Sequence, residues 1–119
     1  MKANEIITTA INMLDYGNCE VKKKSLTFLN NIYAEIHFIE NGQNEEFKPL
    51  NNNNDEVKLS NFSLYNCIVY GLCAALALSE NDTDNQNYYS NIYNDRLRMV
   101  PKTTTTRKDV VPTIEGANA

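Results

Sequence analysis

The chain has 119 residues and a mass of 13.5 kDa, one domain's length, and enough to bury a core without disulfide or metal staples. Its 11 basic and 15 acidic side chains leave a net charge of −4. That argues against a surface that grips phosphate over its whole extent, because such domains run basic.

Ala3, Ile6, Ile7, Ala10, Ile11 and Leu14 fall on one helical face, so a first helix is predicted over residues 3–14, capped by Asn4 or a residue before it and stopped in the Tyr16-Gly17-Asn18 turn. A second helix is predicted from about Val21 to Ile39, with Leu26, Leu29, Ile32, Tyr33, Ile36 and Ile39 as its apolar stripe and Asn41-Gly42 as its stop. Lys22, Lys23 and Lys24 would sit in its first turns, next to a helix end that is already partly positive. Either the helix begins later, near Ser25, or the three lysines serve something outside it. The plain reading is a solvated face, and the functional one is a phosphate or partner contact.

Residues 40–60 form the longest internal stretch without a helical period. Phe47–Leu50 and Val57–Leu59 are short extended candidates around Asn51–Asn54, either a long loop or a small hairpin that would be marginal alone. A third helix, capped by Ser60, carries Leu64, Ile68, Val69, Leu72, Ala75, Leu76 and Leu78. It is apolar nearly all round and therefore central. Its strongly apolar part is about 15 residues, short of the ~20 that a membrane span needs, so no membrane partner is expected. Gly71, Ala74 and Ala75 make a small-residue face. A helical glycine costs about 1 kcal/mol relative to alanine, so close approach of another helix is expected there.

Thr83-Asp84-Asn85-Gln86 matches a capping box, with Thr83 as the cap. The fourth helix then presents Tyr89, Ile92, Tyr93, Leu97 and Val100 and closes at Pro101. Of Tyr88, Tyr89 and Tyr93, part must face the core by period. The remainder is free to meet a partner, so the three are candidate subunit contacts. From Pro101 to Ala119 no helical period survives, and this segment reads as an extended or disordered arm reaching at most ~65 Å. Lys102, Arg107 and Lys108 lie near its start, and Val110-Val111, between two prolines, is suited to adding as a short strand to a partner.

Chemistry-bearing residues are sparse. Cys19, Cys67 and Cys73 form no CxxC pair and read as reduced thiols of a cytosolic chain. No secretory leader is expected, since no charged region precedes an apolar one at the N-terminus. His37 stands alone in mid-helix beside Phe38, without a second ligand at helical spacing. Gly17, Gly42, Gly71 and Gly116 are too far apart to cradle a phosphate, and Glu45-Glu46 and Asp55-Glu56 lack the alternation of a calcium loop. The expectation is a protein that is not an enzyme, with no catalytic residue, no metal and no cofactor.

Three stretches carry a family resemblance. They are the opening helix Glu5–Leu14, the run Phe28–Ile36, and the long span from Asp55–Ser60 through Tyr70–Leu78 to Asn87–Leu97. In the last of these, Tyr89, Tyr93 and Leu97 hold a tyrosine, tyrosine, leucine spacing of four. In order and spacing, over residues 3–100, the chain resembles the small head–tail connector (adaptor, or head-completion) proteins of tailed bacteriophages. The resemblance implies a helical subunit made in the bacterial cytoplasm and built into the virion at the head–tail junction. Such subunits form a ring with copies of themselves, often of twelve, beneath the portal protein. The ring extends the DNA channel without reading DNA sequence and offers a surface to the next tail or stopper component. It also implies a C-terminal arm that contacts the portal, here Lys102, Thr103, Thr104, Arg107, Lys108, Val110, Val111 and Ile114.

The expected fold is therefore all-α: a four-helix, bundle-like domain over residues 1–100, with a long loop or small hairpin between helices 2 and 3, and an arm over residues 101–119. The alternative function is a small helical regulator that binds nucleic acid through Lys22, Lys23 and Lys24.

Overall fold

A computed structural model describes residues 1–17, 19–42 and 46–100. The arm over residues 101–119, with Lys102, Thr103, Thr104, Arg107, Lys108, Val110, Val111 and Ile114, lies outside the described residues. The described chain is all-helical and bundle-like, with α1 (Ala3–Leu14), α2 (Cys19–Asn41), α3 (Ser63–Ser79) and α4 (Thr83–Arg98).

The apolar periods become buried faces. Ala3, Ile6, Ile7, Ala10 and Leu14 of α1 are buried, as are Val21, Leu29, Tyr33 and Ile36 of α2. α3 buries ten residues, from Leu64 to Ala77, and packs against each of the other three helices. α2 and α4 both run antiparallel to α3. Lys24 of α2 reaches Glu80 just beyond the end of α3, and Tyr93 of α4 meets Gly71 at its middle.

Several helix ends depart from the sequence expectations, each for a local reason. α1 is capped at Lys2, before Asn4, and the Lys2 N–H donates to the Glu5 carboxylate at 2.7 Å. Its first N–H groups, on Ala3 and Asn4, donate to the carbonyls of Asp55 and Asn53 at 2.9 and 2.8 Å. Its other end is Asp15, in the left-handed region at φ 58°, before Gly17 is reached. α2 begins at Cys19 rather than near Ser25, so the three lysines do occupy its first turns. Glu20 in the first turn offsets part of their charge, accepting from Lys23 at 3.2 Å. Ser60 does not cap α3, because its hydroxyl donates to Glu40. The Asn61 side chain takes that place, accepting from the Ser63 N–H and hydroxyl at 3.0 Å each. At α4 the cap is Asp82, one residue earlier than Thr83. Its carboxylate accepts from Asn85 Nδ2 at 2.8 Å and, more weakly, from the Asn85 N–H at 3.4 Å.

No hairpin forms between α2 and α3 among the described residues, and the physical cause is competition for backbone groups. The Leu50 N–H and carbonyl are both taken by the Asn30 side chain, at 2.7 and 3.0 Å. The Val57 N–H donates to the Met1 carbonyl at 2.9 Å, while the Val57 carbonyl accepts from the Tyr65 hydroxyl. Tyr33 accepts from the Lys58 N–H and donates to the Lys58 carbonyl through one hydroxyl. Each extended piece is thus tied to a helix instead of to the other piece. The one isolated bridge, Lys2 with Glu56, joins the loop to the start of α1.

At Gly71 a β-carbon would stand 2.7 Å from a ring carbon of Tyr93 and 2.8 Å from a methyl of Ile32. The Tyr93 ring cannot swing away freely, since its hydroxyl donates to Glu35 at 2.5 Å. Gly71→Ala should gain about 1 kcal/mol of helix propensity and lose about 1–3 kcal/mol to overpacking, so a net fall in stability is expected. Gly17→Ala, with nothing within 4 Å of the added carbon, should leave stability nearly unchanged. Thermal melts of the two variants check this, and an unchanged melting temperature for Gly71→Ala would show that Tyr93 and Ile32 yield.

Candidate functional site

Two groups of described residues stand out from the sequence, and the structure divides each of them. The tyrosine trio on α4 is divided. Tyr93 is buried, and its ring packs on Gly71 with its hydroxyl on Glu35. Tyr89 is buried as well and stacks on Tyr70 of α3, ring centres 6.1 Å apart. Tyr88 is 60% exposed and meets Tyr89 edge-on at 4.9 Å. Tyr89 and Tyr93 therefore spend their surface inside the chain, and Tyr88 is the one of the three that offers surface to a partner. Arg96 continues the strip, its guanidinium carbon 5.4 Å over the Tyr70 ring. The α3–α4 seam thus carries a run of aromatic and cationic groups, Tyr88, Tyr89, Tyr70 and Arg96.

The lysine run is divided too. Lys24 donates to Glu80 at 2.6 Å with both side chains about one third exposed, which ties the start of α2 to the end of α3. Lys23 pairs with Glu20 in solvent. Lys22 is exposed and, with Lys23, Leu26 and Asn53, borders a shallow depression. A phosphate contact would therefore fall to Lys22 and Lys23, not to all three.

A concavity of about 930 Å³ lies between the end of α2 and the following loop. Tyr33, Leu50 and Leu59 contribute apolar surface, and Glu40, Asp55 and Lys58 contribute charge. His37 also lines it, with Nδ1 3.2 Å from Asn41 Nδ2 and its ring 5.4 Å from that of Phe47. Asp55 is occupied in holding the turn, accepting from the Asn51 and Asn52 N–H groups. Among the described residues no group of three or more His, Cys, Asp and Glu side chains converges as metal ligands do. No helix among them is long and apolar enough to cross a membrane.

Titration behaviour follows burial. Loss of solvation pushes the Cys67 thiol up to about 11 and the Cys73 thiol up to about 12, so neither supplies thiolate near neutral pH. Burial and then the Glu35 carboxylate raise Tyr93, while burial and then the Asp82 carboxylate raise Tyr16. The partner effect on Asp82 runs the other way. Hydrogen bonds from Tyr16 and then Asn85 hold its carboxyl below the ordinary range. The Tyr16–Asp82 bond, 2.6 Å, joins the end of α1 to the cap of α4. Sequence reasoning missed this bond, as it missed the Glu35–Tyr93 bond. Each spans more than fifty residues, and no local pattern announces it.

Comparison with known protein families, curated proteins and solved structures finds no match to this chain.

Raised thiol and phenol pKa values mean that the folded chain holds protons which the unfolded chain releases. The associated stability is complete below about pH 9 for the thiols and about pH 10 for the tyrosines, their ordinary values, and falls as pH rises beyond them. A melting series from pH 7 to 11 should decline above pH 9. Tyr93→Phe should decline less steeply than the native chain between pH 10 and 11, because one proton-releasing group is gone. A parallel decline in the two proteins would remove Tyr93 from the account.

Proposed function

We propose that this chain is a subunit of an adaptor ring at a phage head–tail junction, where it binds the portal and lengthens the DNA channel. The observation that carries the reading is the seating of the fourth helix on the third. Tyr89 and Tyr93 are buried and Leu97 packs against the same core, on the face where α3 has Gly71. That is the tyrosine, tyrosine, leucine spacing on which the resemblance to connector proteins rests, within a four-helix order that also suits it. A protein with this task is a scaffold whose surfaces matter more than any reacting group. Tyr88, 60% exposed, and Leu78, 65% exposed, are the apolar side chains of α4 and α3 left for a neighbouring copy. The arm over residues 101–119 is assigned to the portal, because the resemblance to connector proteins implies a C-terminal arm that contacts it. The net charge of −4 suits a channel subunit that DNA passes without being held, because phosphate neutralisation supplies most nonspecific affinity.

The test is co-purification with the portal protein encoded beside it, followed by imaging of the particles. A ring coaxial with the portal is expected. Removal of residues 102–119 should abolish portal binding while leaving the helical circular dichroism signal intact, and full binding by that variant would end the arm assignment. Tyr88→Ser should weaken ring formation at least several-fold without moving the melting temperature, since this side chain contributes little to the core. The nucleic-acid alternative rests on Lys22 and Lys23. A gel shift on duplex DNA at low salt, lost in a Lys22→Gln, Lys23→Gln variant, would favour it over the adaptor reading.

A further inference from the structure

We infer that the apolar hollow between α1 and α3 is the docking site of the chain's own C-terminal segment, residues 110–114. The hollow holds about 120 Å³ and is walled by Met1 and Met13 from the α1 side, by Phe62 just before α3 and by Tyr65, Val69 and Tyr70 of α3, with Thr9 and Asn66 as its polar members. It has room for one branched aliphatic side chain, since a cavity of ~150 Å³ accepts benzene. Phe62 is 80% exposed, Met13 39% and Met1 38%. A single exposed apolar side chain needs no explanation, but several lining one concavity mark a surface that something covers.

The occupant follows from where the chain goes. Arg96 lies over the ring of Tyr70, which is itself a wall of the hollow. α4 ends at Arg98, and Val100 is buried at 3% exposure, so the last described turn is anchored to the bundle. Because α4 runs antiparallel to α3, residue 101 leaves at the end of the bundle where α3 begins, which is where Phe62 stands. Nineteen residues follow, and Val100 to Val110 spans at most roughly 33 Å. The distance along α3 from Tyr70 to Phe62 is only about 12 Å at a helix rise of ~1.5 Å per residue. The tether is polar and basic, with Lys102, Thr103–Thr106, Arg107 and Lys108. The apolar side chains Val110, Val111 and Ile114 come after it, at a length that reaches the hollow with slack. Hollow and segment thus match in size, in chemistry and in reach. The larger groove beside α2 is rimmed by Glu40, Asp55 and Lys58 and offers such side chains a wetter surface. The inference concerns the free chain and is tested without a portal or a ring; the segment is the one that the adaptor reading gives to the portal, so binding there would require it to leave the hollow.

Amide proton–nitrogen spectra of the full chain test it. Replacing Val110, Val111 and Ile114 together by Ser should shift the amides of Thr9, Met13, Tyr65, Asn66 and Val69, while those of Asn30 and Lys58 stay in place. The reciprocal variant is Phe62→Ser, which removes a side chain 80% exposed and so spares the bundle. In it the amides of Val110, Val111 and Ile114 should move to random-coil positions. Spectra that overlay with the native ones in both variants overturn the inference. So do native shifts at the hollow that fade on tenfold dilution, because the occupant is then a second copy and not the same molecule's tail.

Discussion

The close approach of three helices at Gly71 is the contact on which the rest of this fold depends. With hydrogen in place of a side chain there, the Tyr93 ring of α4 and the Ile32 methyl of α2 both reach the backbone of α3. The position gives up about 1 kcal/mol of helix propensity. In return, α3 packs against helices on more than one side, and ten of its residues are buried. Tyr93 is then held at both ends, by packing at its ring and by Glu35 at its hydroxyl. That fixes the rotation of α4, puts Tyr89 against Tyr70, and leaves Tyr88 in solvent. The surface available to a partner is thus a consequence of a packing decision in the middle of α3.

A second organising element is the segment between α2 and α3. Its carbonyls at Asn53 and Asp55 serve as the cap of α1, doing for that helix what a side chain does for α4. Glu5 accepts from the Lys2 N–H and completes the arrangement. The asparagine-rich turn is therefore a structural part of the bundle. Asp55 holds its shape through two backbone N–H groups, and Asn30, Tyr33 and Tyr65 fasten its flanks to α2 and α3. Loss of these side-chain clamps would free the backbone groups that a hairpin needs.

Among the described residues, the groups that remain open to solvent differ in kind from those that are buried. The Cys67 and Cys73 thiols are buried and held protonated, Tyr93 is a core hydrogen-bond donor, and the exposed Phe62, Leu78 and Tyr88 are aromatic and aliphatic. Such groups make contact surface. The same property links the two proposals above, in that both concern which chain segment or neighbour covers apolar area left open by the bundle.

Much of the fold was legible in the sequence. The α1 period, the all-round apolar character of α3 and the small residue at Gly71 are statements about side chains a few positions apart, and local spacing encodes them fully. The bounds of α1 were predicted to the residue. What failed was capping and pairing. Ser60 and Thr83 looked like caps, yet Glu40 drew the Ser60 hydroxyl away and Asp82, one residue before Thr83, took the Asn85 N–H and side-chain amide. The hairpin looked possible because nothing in residues 47–59 reveals that Asn30 and Met1 will compete for its backbone groups. For the candidate surface, the sequence supplied three tyrosines and three lysines, and only the tertiary structure could sort them. Tyr88 from Tyr93, and Lys22 from Lys24, differ by where a partner more than fifty residues away happens to stand. The sequence by itself determined four helices and their apolar faces, because helix period is a property of near neighbours. The tertiary structure decided which polar groups are used up and which remain for others, because hydrogen bonding and burial depend on distances that local spacing does not contain.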